Sequence, residues 1–117
     1  LNILSLCDNI SVLTALANDN GYENIFLMQL INKIKANDVL IAISASGNSP
    51  NIVKAVEYAR DIGSKIVGLT GFDGGLLKNL SDISYHIQTN DGEYGLVEDM
   101  HMMLDHMIFS YYIDKSK

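Results

Sequence analysis

The chain has 117 residues and is 48% hydrophobic, enough for one domain with one core and too apolar for a disordered segment. Fourteen acidic against eight basic residues give a net charge of −6 with no basic run, which argues against binding a nucleic-acid backbone. One cysteine rules out an internal disulfide, and no apolar run reaches the ~20 residues of a membrane span, so a reducing cytoplasm is the expected compartment.

Asn2 to Leu6 reads as a strand, and Cys7 at its end reads as a buried, inert thiol. Ser11 to Ala17 reads as a short helix, with Asp8 or Asn9 as its cap. Glu23 to Ile34 is predicted helical, with Phe26, Leu27, Leu30, Ile31 and Ile34 on one face. Val39 to Ile43 is nearly all apolar, as expected for a strand covered on both faces. Asn51 to Ile62 is the next helix, buried along Ile52, Val53, Val56, Ala59 and Ile62. Ser49 is expected to cap it, Pro50 to take its first position and Gly63 to lie just past its end. Lys65 to Thr70 and Ile83 to Ile87 read as strands, with a loop at 71–75 and a short helix from Leu76 to Leu80 between them. A long helix from Glu93 to about Ile113 closes the chain. Its apolar stripe, which includes Met100, Met103 and Met107, reads first as core, and its breadth also fits packing against another subunit. Alternating strands and helices imply one three-layer α/β/α domain over residues 1–117, built on a parallel sheet with helices on both faces.

The segment Ile43-Ser44-Ala45-Ser46-Gly47-Asn48-Ser49-Pro50 carries the strongest chemical signal. A buried strand stops at a hydroxyl-rich loop, and a helix begins at once. Backbone N–H groups, the positive helix end and three hydroxyls then surround one point, which suits an anion such as phosphate. In an open α/β sheet, ligands bind beyond the carboxyl ends of the strands, where these serines fall. Asp73-Gly74-Gly75 follows a later strand on the same rim and reads equally as a site wall or a turn.

These residues resemble the phosphosugar-binding loop of SIS (sugar isomerase) domains, which have a flavodoxin- or Rossmann-like architecture. Ser11 to Phe26, with Asn18-Asp19 inside it, is similar to the matching segment of phosphoheptose isomerases. Leu69-Thr70-Gly71-Phe72-Asp73-Gly74-Gly75 and the helix bearing Glu98, His101 and His106 are also similar to theirs. The resemblance implies that Ser44, Ser46 and Ser49 hold the phosphate and that Asn18 and Asp19 contact the sugar chain. It implies that His106 is a catalytic acid/base and, in zinc-dependent members, a metal ligand. Glu98 stands where typical members carry a glutamine that binds substrate and metal; a carboxylate can also ligate zinc. No nucleotide or organic cofactor is implied.

A glycine-rich phosphate loop, and a following helix with His and Glu four residues apart, belong to the family pattern and have no match here. The first residues align with the strand after that helix, so the chain is expected to lack its N-terminal portion and to be inactive alone. The implied reaction interconverts sedoheptulose 7-phosphate and glycero-manno-heptose 7-phosphate through an enediol, supplying heptose for lipopolysaccharide or capsule. The implied assembly is a homotetramer. The other function in view is a non-catalytic module that binds phosphosugars for regulation, or binds the bacterial replication initiator. His106 favours the enzyme, because the initiator-binding relatives typically lack it. Glu98 and His106 stand eight residues apart, about 12 Å along a regular helix. Either the helix begins after Glu98, or the two serve adjacent points of an extended ligand. His86 and His101 read as surface or packing residues.

Overall fold

The structure, a computed structural model, describes residues 2–116. Three strands, β1 (Val39–Ser44), β2 (Lys65–Thr70) and β3 (Ile83–His86), form a parallel sheet in the order β1-β2-β3. Ser44 pairs with Thr70 and Thr70 with His86, so the three C-terminal strand ends lie side by side. The helices are α1 (Ile10–Asn20), α2 (Leu27–Leu30), α3 (Pro50–Ile62), α4 (Gly75–Leu80) and α5 (Tyr94–Lys115).

One sheet face carries the core. Ala42 and Ile66 meet Val56 and Ala59 of α3 and Leu77 of α4 in one buried cluster. Val56, Ile66 and Leu77 are fully buried, and each contributes about 1.5–3 kcal/mol by leaving water. The ends of α3 follow its sequence: Pro50 opens it, and Gly63 at φ 92° closes it by donating to the Ala59 and Arg60 carbonyls.

The other face receives α5. The Tyr85 hydroxyl donates to the Met100 carbonyl at 3.4 Å, and the Tyr85 and His101 rings lie 6.0 Å apart. His101 Nε2 sits 3.3 Å from the Thr70 carbonyl oxygen. Val97 is fully buried against Gly71, where an added Cβ would strike its methyl groups. The helix–sheet–helix layering and the parallel strands agree with the sequence reading.

Several expectations need correction. Asn2–Leu6 is not a strand, and Ile3 and Leu4 are 76% and 68% exposed. A strand exists only through pairing, and no strand partners this segment among the described residues. Gln29 Nε2 ties it to the fold by donating to the Leu6 carbonyl at 3.0 Å. Cys7 is exposed rather than buried, because it lies in the turn that follows this bare segment.

The helix expected over Glu23–Ile34 is broken into a 3-10 turn at Tyr22–Asn24 and the single turn α2. Asn24 donates its side-chain amide to the Asn20 carbonyl, and Asn32 takes a left-handed φ of 65°. Such local bonds and backbone choices compete with a helix, yet Ile25 and Leu30 are still buried.

Strand β1 is covered on one face only. Val39, Ile41 and Ile43 are 57–59% exposed, since α5 meets β2 and β3 through Thr70 and Tyr85 and leaves β1's outward side chains bare. The methionine stripe of α5 is not core either: Met103 and Met107 are exposed, and only Val97 and His101 of this helix are buried. Twenty-two helical residues span about 33 Å, more than strands of four to six residues can underlie. No helix among the described residues is long and apolar enough to cross a membrane.

Candidate functional site

Ser44 ends β1 on the covered face and is 7% exposed. The Gly47 N–H reaches both the Ser44 carbonyl, at 3.0 Å, and the Ser44 Oγ, at 3.2 Å. The Asn48 N–H donates to Ser46 Oγ at 3.2 Å. Ser49 stands at the N-cap of α3, but its side chain makes no capping bond. Its hydroxyl lies 3.1 Å from the Ser44 hydroxyl instead, while its carbonyl accepts from Ile52 and Val53. The expected side-chain cap is therefore replaced by a serine–serine bond. One of three hydroxyl protons is spent between Ser44 and Ser49, which leaves two for a ligand. No acidic residue occupies the first turn of α3, so its positive end is not neutralised locally.

A second loop locks this one in place. The Gly71 N–H donates to the Ala45 carbonyl at 2.8 Å, and the Leu77 N–H donates to the Gly47 carbonyl at 2.9 Å. The Asn48 side-chain oxygen accepts from the Leu76 N–H at 3.0 Å. Gly47, at φ 66°, would drive a Cβ into the Gly74 carbonyl, and Gly75, at φ 53°, would drive one into the Ser46 carbonyl. Both positions therefore require glycine. Phe72 adopts φ 51° without being glycine; its ring is buried and packs edge-on to Tyr94 at 5.0 Å.

Beside the serine loop opens a cavity of about 390 Å³, lined by Ser46, Asn48, Phe72, Asp73, Gln88, Thr89 and Asp91. Asp73, which the sequence left open between turn and wall, lines it. Asn48, Phe72, Gln88, Thr89 and Asp91 were missed by sequence reasoning. Asp91-Gly92 is a turn-forming pair that could have flagged a loop there, but no residue type in it marks the loop as part of the rim.

At the same strand ends, His86 Nδ1 lies 3.0 Å from the Thr70 hydroxyl. Burial holds the His86 pKa below its ordinary value; Lys78 pushes the same way and Asp73 opposes. His101 is buried against the sheet and His86 is half-buried beside Thr70; the sequence reads both as surface or packing residues.

Of the three serines only Ser46 lines the cavity, and the remaining candidates lie apart from its wall as well. Asn18 and Asp19 are exposed near the end of α1, where Asn18 Nδ2 donates to Asp19 Oδ1 at 2.8 Å. Glu98 and His106 are exposed on α5, which runs unbroken from Tyr94 to Lys115. That removes the option of a helix starting after Glu98 and leaves the two about 12 Å apart along it. Among the described residues, no group of three or more His, Cys, Asp or Glu is placed to hold a metal ion.

The family model of the SIS domain matches residues 2–71. The chain is 44% identical over 108 residues to the phosphoheptose isomerase of Helicobacter pylori strain Shi470, covering 92% of this chain and 55% of that protein. It is 41% identical over 105 residues to the phosphoheptose isomerase of Aliarcobacter butzleri, covering 90% and 54%. The solved structure of a phosphoheptose isomerase from Neisseria gonorrhoeae superposes with a TM-score of 0.82 at 32% identity, over 89% of this chain and 57% of that one. The chain thus spans about half the length of the curated relatives it matches.

Proposed function

The chain belongs to the SIS domain family, and on that premise we propose that the whole protein is a phosphoheptose isomerase. It interconverts sedoheptulose 7-phosphate and glycero-manno-heptose 7-phosphate, for use in surface polysaccharide. The observation that carries this reading is the serine loop: three clustered hydroxyls at a helix N-terminus that has no side-chain cap, with Ser46 lining a cavity of about 390 Å³. Likeness to named phosphoheptose isomerases in sequence and in structure supports the choice of sugar.

Ser44, Ser46 and Ser49 anchor the phosphate away from the reacting carbons, and Asn18 and Asp19 contact the sugar chain. The reaction removes a proton from the carbon next to the carbonyl and returns one to the former carbonyl carbon, through an enediol. His106 carries one of these protons, and Glu98 meets the substrate. Anchoring the phosphate spends binding energy on position, which favours the proton transfer. Zinc held by Glu98 and His106 would need further donors from outside this chain, so no step is assigned to a metal. The bare side chains of α5 support a homo-oligomer, with a tetramer as the proposed state, acting in the cytoplasm.

One observation favours the second reading, a phosphosugar-binding module without catalysis: Glu98 and His106 do not line the cavity. Incubating the full-length protein with sedoheptulose 7-phosphate in deuterium oxide separates the two. The isomerase forms the aldose with solvent deuterium on the former carbonyl carbon. Binding without product selects the module, and neither binding nor product contradicts both.

A further inference from the structure

Helix α5 is seated on consecutive residues at the end of β2. The Tyr94 ring meets the Phe72 ring edge-on at 5.0 Å, Val97 is buried against Gly71, and His101 Nε2 lies 3.3 Å from the Thr70 carbonyl oxygen. Positions 94, 97 and 101 share one helix face, so α5 runs back along the chain at 70–72. The Gly71 N–H in turn donates to the Ala45 carbonyl, between Ser44 and Ser46. The seat of α5 and the serine loop therefore meet at one residue.

The contacts differ in kind. Val97 and Tyr94 supply apolar packing, which is not directional and does not by itself fix how far the helix has slid. His101 is the one buried polar residue of α5 among the described residues, and its contact is directional. A carbonyl oxygen only accepts, so Nε2 carries the proton and donates. The Thr70 carbonyl already accepts from the Ile87 N–H at 2.9 Å, so the strand does not need the histidine. What the bond fixes is the helix. A slip of one residue would shift every α5 side chain by about 1.5 Å and turn it by about 100°. Glu98 and His106 flank His101 on this helix and stand exposed, without contacts of their own to hold them.

We propose that His101 is a positioning residue: its bond to the Thr70 carbonyl fixes the register of α5 on residues 70–72, and so fixes where Glu98 and His106 stand. A single buried polar group sets register in the same way between coiled-coil helices. The proposal rests on the reading of His106 as a proton carrier and adds the residue that places it.

The test measures turnover of sedoheptulose 7-phosphate, its affinity by calorimetry and the melting temperature for variants of the full-length protein. His101→Leu fills the space without a donor, and the Thr70 carbonyl keeps the Ile87 N–H, so no buried carbonyl is orphaned. Its turnover should fall about tenfold to a hundredfold while affinity stays within about twofold. His101→Gln carries an amide N–H at the reach of Nε2 and should recover most of the turnover. His101→Asn stops short of the carbonyl, should behave as the leucine variant, and carries the comparison if that variant does not fold. Full turnover in the leucine and asparagine variants, with only a lower melting temperature, overturns the proposal. So does a glutamine variant as slow as the leucine one, or an affinity that falls as far as turnover. Loss of turnover in His106→Ala beside a fully active His101→Leu overturns the positioning role alone. Wild-type turnover in His106→Ala overturns the proton-carrier reading and the positioning role with it.

Discussion

The rim formed by the loops after β1 and β2, and the helix α5, both meet the C-terminal ends of the strands, but they are held there differently. The rim is cross-linked from within the chain: Gly71 to Ala45, Leu77 to Gly47 and Leu76 to the Asn48 side chain. Helix α5 is seated at Val97, His101 and the Tyr85 contact, and its C-terminal half is exposed on every side. A helix apolar all round is normally buried, so α5 has the surface of a packed element without the packing. The loop proposed to anchor the phosphate is therefore fixed by contacts within this chain, whereas Glu98 and His106, proposed for the chemistry, stand exposed on a helix whose C-terminal half is bare.

The largest effect should come from breaking the rim at its tightest point. Gly47→Val places a β-branched residue at a left-handed φ and against the Gly74 carbonyl, which costs about 3 kcal/mol or more. Chemical denaturation should show that loss, and phosphosugar binding should fail with it. Breaking the seat of α5 is expected to cost less. Val97→Ala removes two buried methyl groups next to Gly71, for about 2 kcal/mol in denaturant, with phosphosugar affinity changed less than twofold. A large affinity loss there would mean that the two regions are one unit.

Asn48→Ala removes one stitch between the loops and leaves the Leu76 N–H without its side-chain partner, for about 1 kcal/mol. The smallest effect concerns pH. Burial keeps the folded His86 pKa below the ordinary 6.5, so the unfolded chain takes up the proton first as pH falls. The stability contributed by neutral His86 is full above the unfolded pKa, declines below it, and is lost once pH passes below the folded value. Denaturation midpoints of the wild type should therefore fall more between about pH 7.5 and about pH 5 than those of His86→Gln.

The fold was legible where burial and turn chemistry agree. Pro50, Gly63 and the apolar stripe of α3 marked that helix to within a residue, and the run Lys65–Thr70 gave β2 without error. Legibility failed where an element depends on neighbours that a pattern does not name. Asn2–Leu6 has strand composition but no pairing partner, and Val39, Ile41 and Ile43 have core composition on a bare face. Of the site, the serine loop could be read because its residues are contiguous. Asn48, Gln88 and Asp91 could not, because their roles depend on two loops meeting across the sheet end. Ser49 was placed correctly at the helix start, yet its hydroxyl turns to Ser44, a choice between two acceptors that sequence does not rank.

The separation of anchor from chemistry is the central claim, and one paired measurement tests it. In the full-length protein, sedoheptulose 7-phosphate affinity and turnover are measured for Ser46→Ala and for His106→Ala. Loss of one charge-assisted hydrogen bond should weaken binding by Ser46→Ala about tenfold, whereas His106→Ala should lower turnover and leave affinity within about twofold. Equal losses of affinity in the two variants would contradict the account.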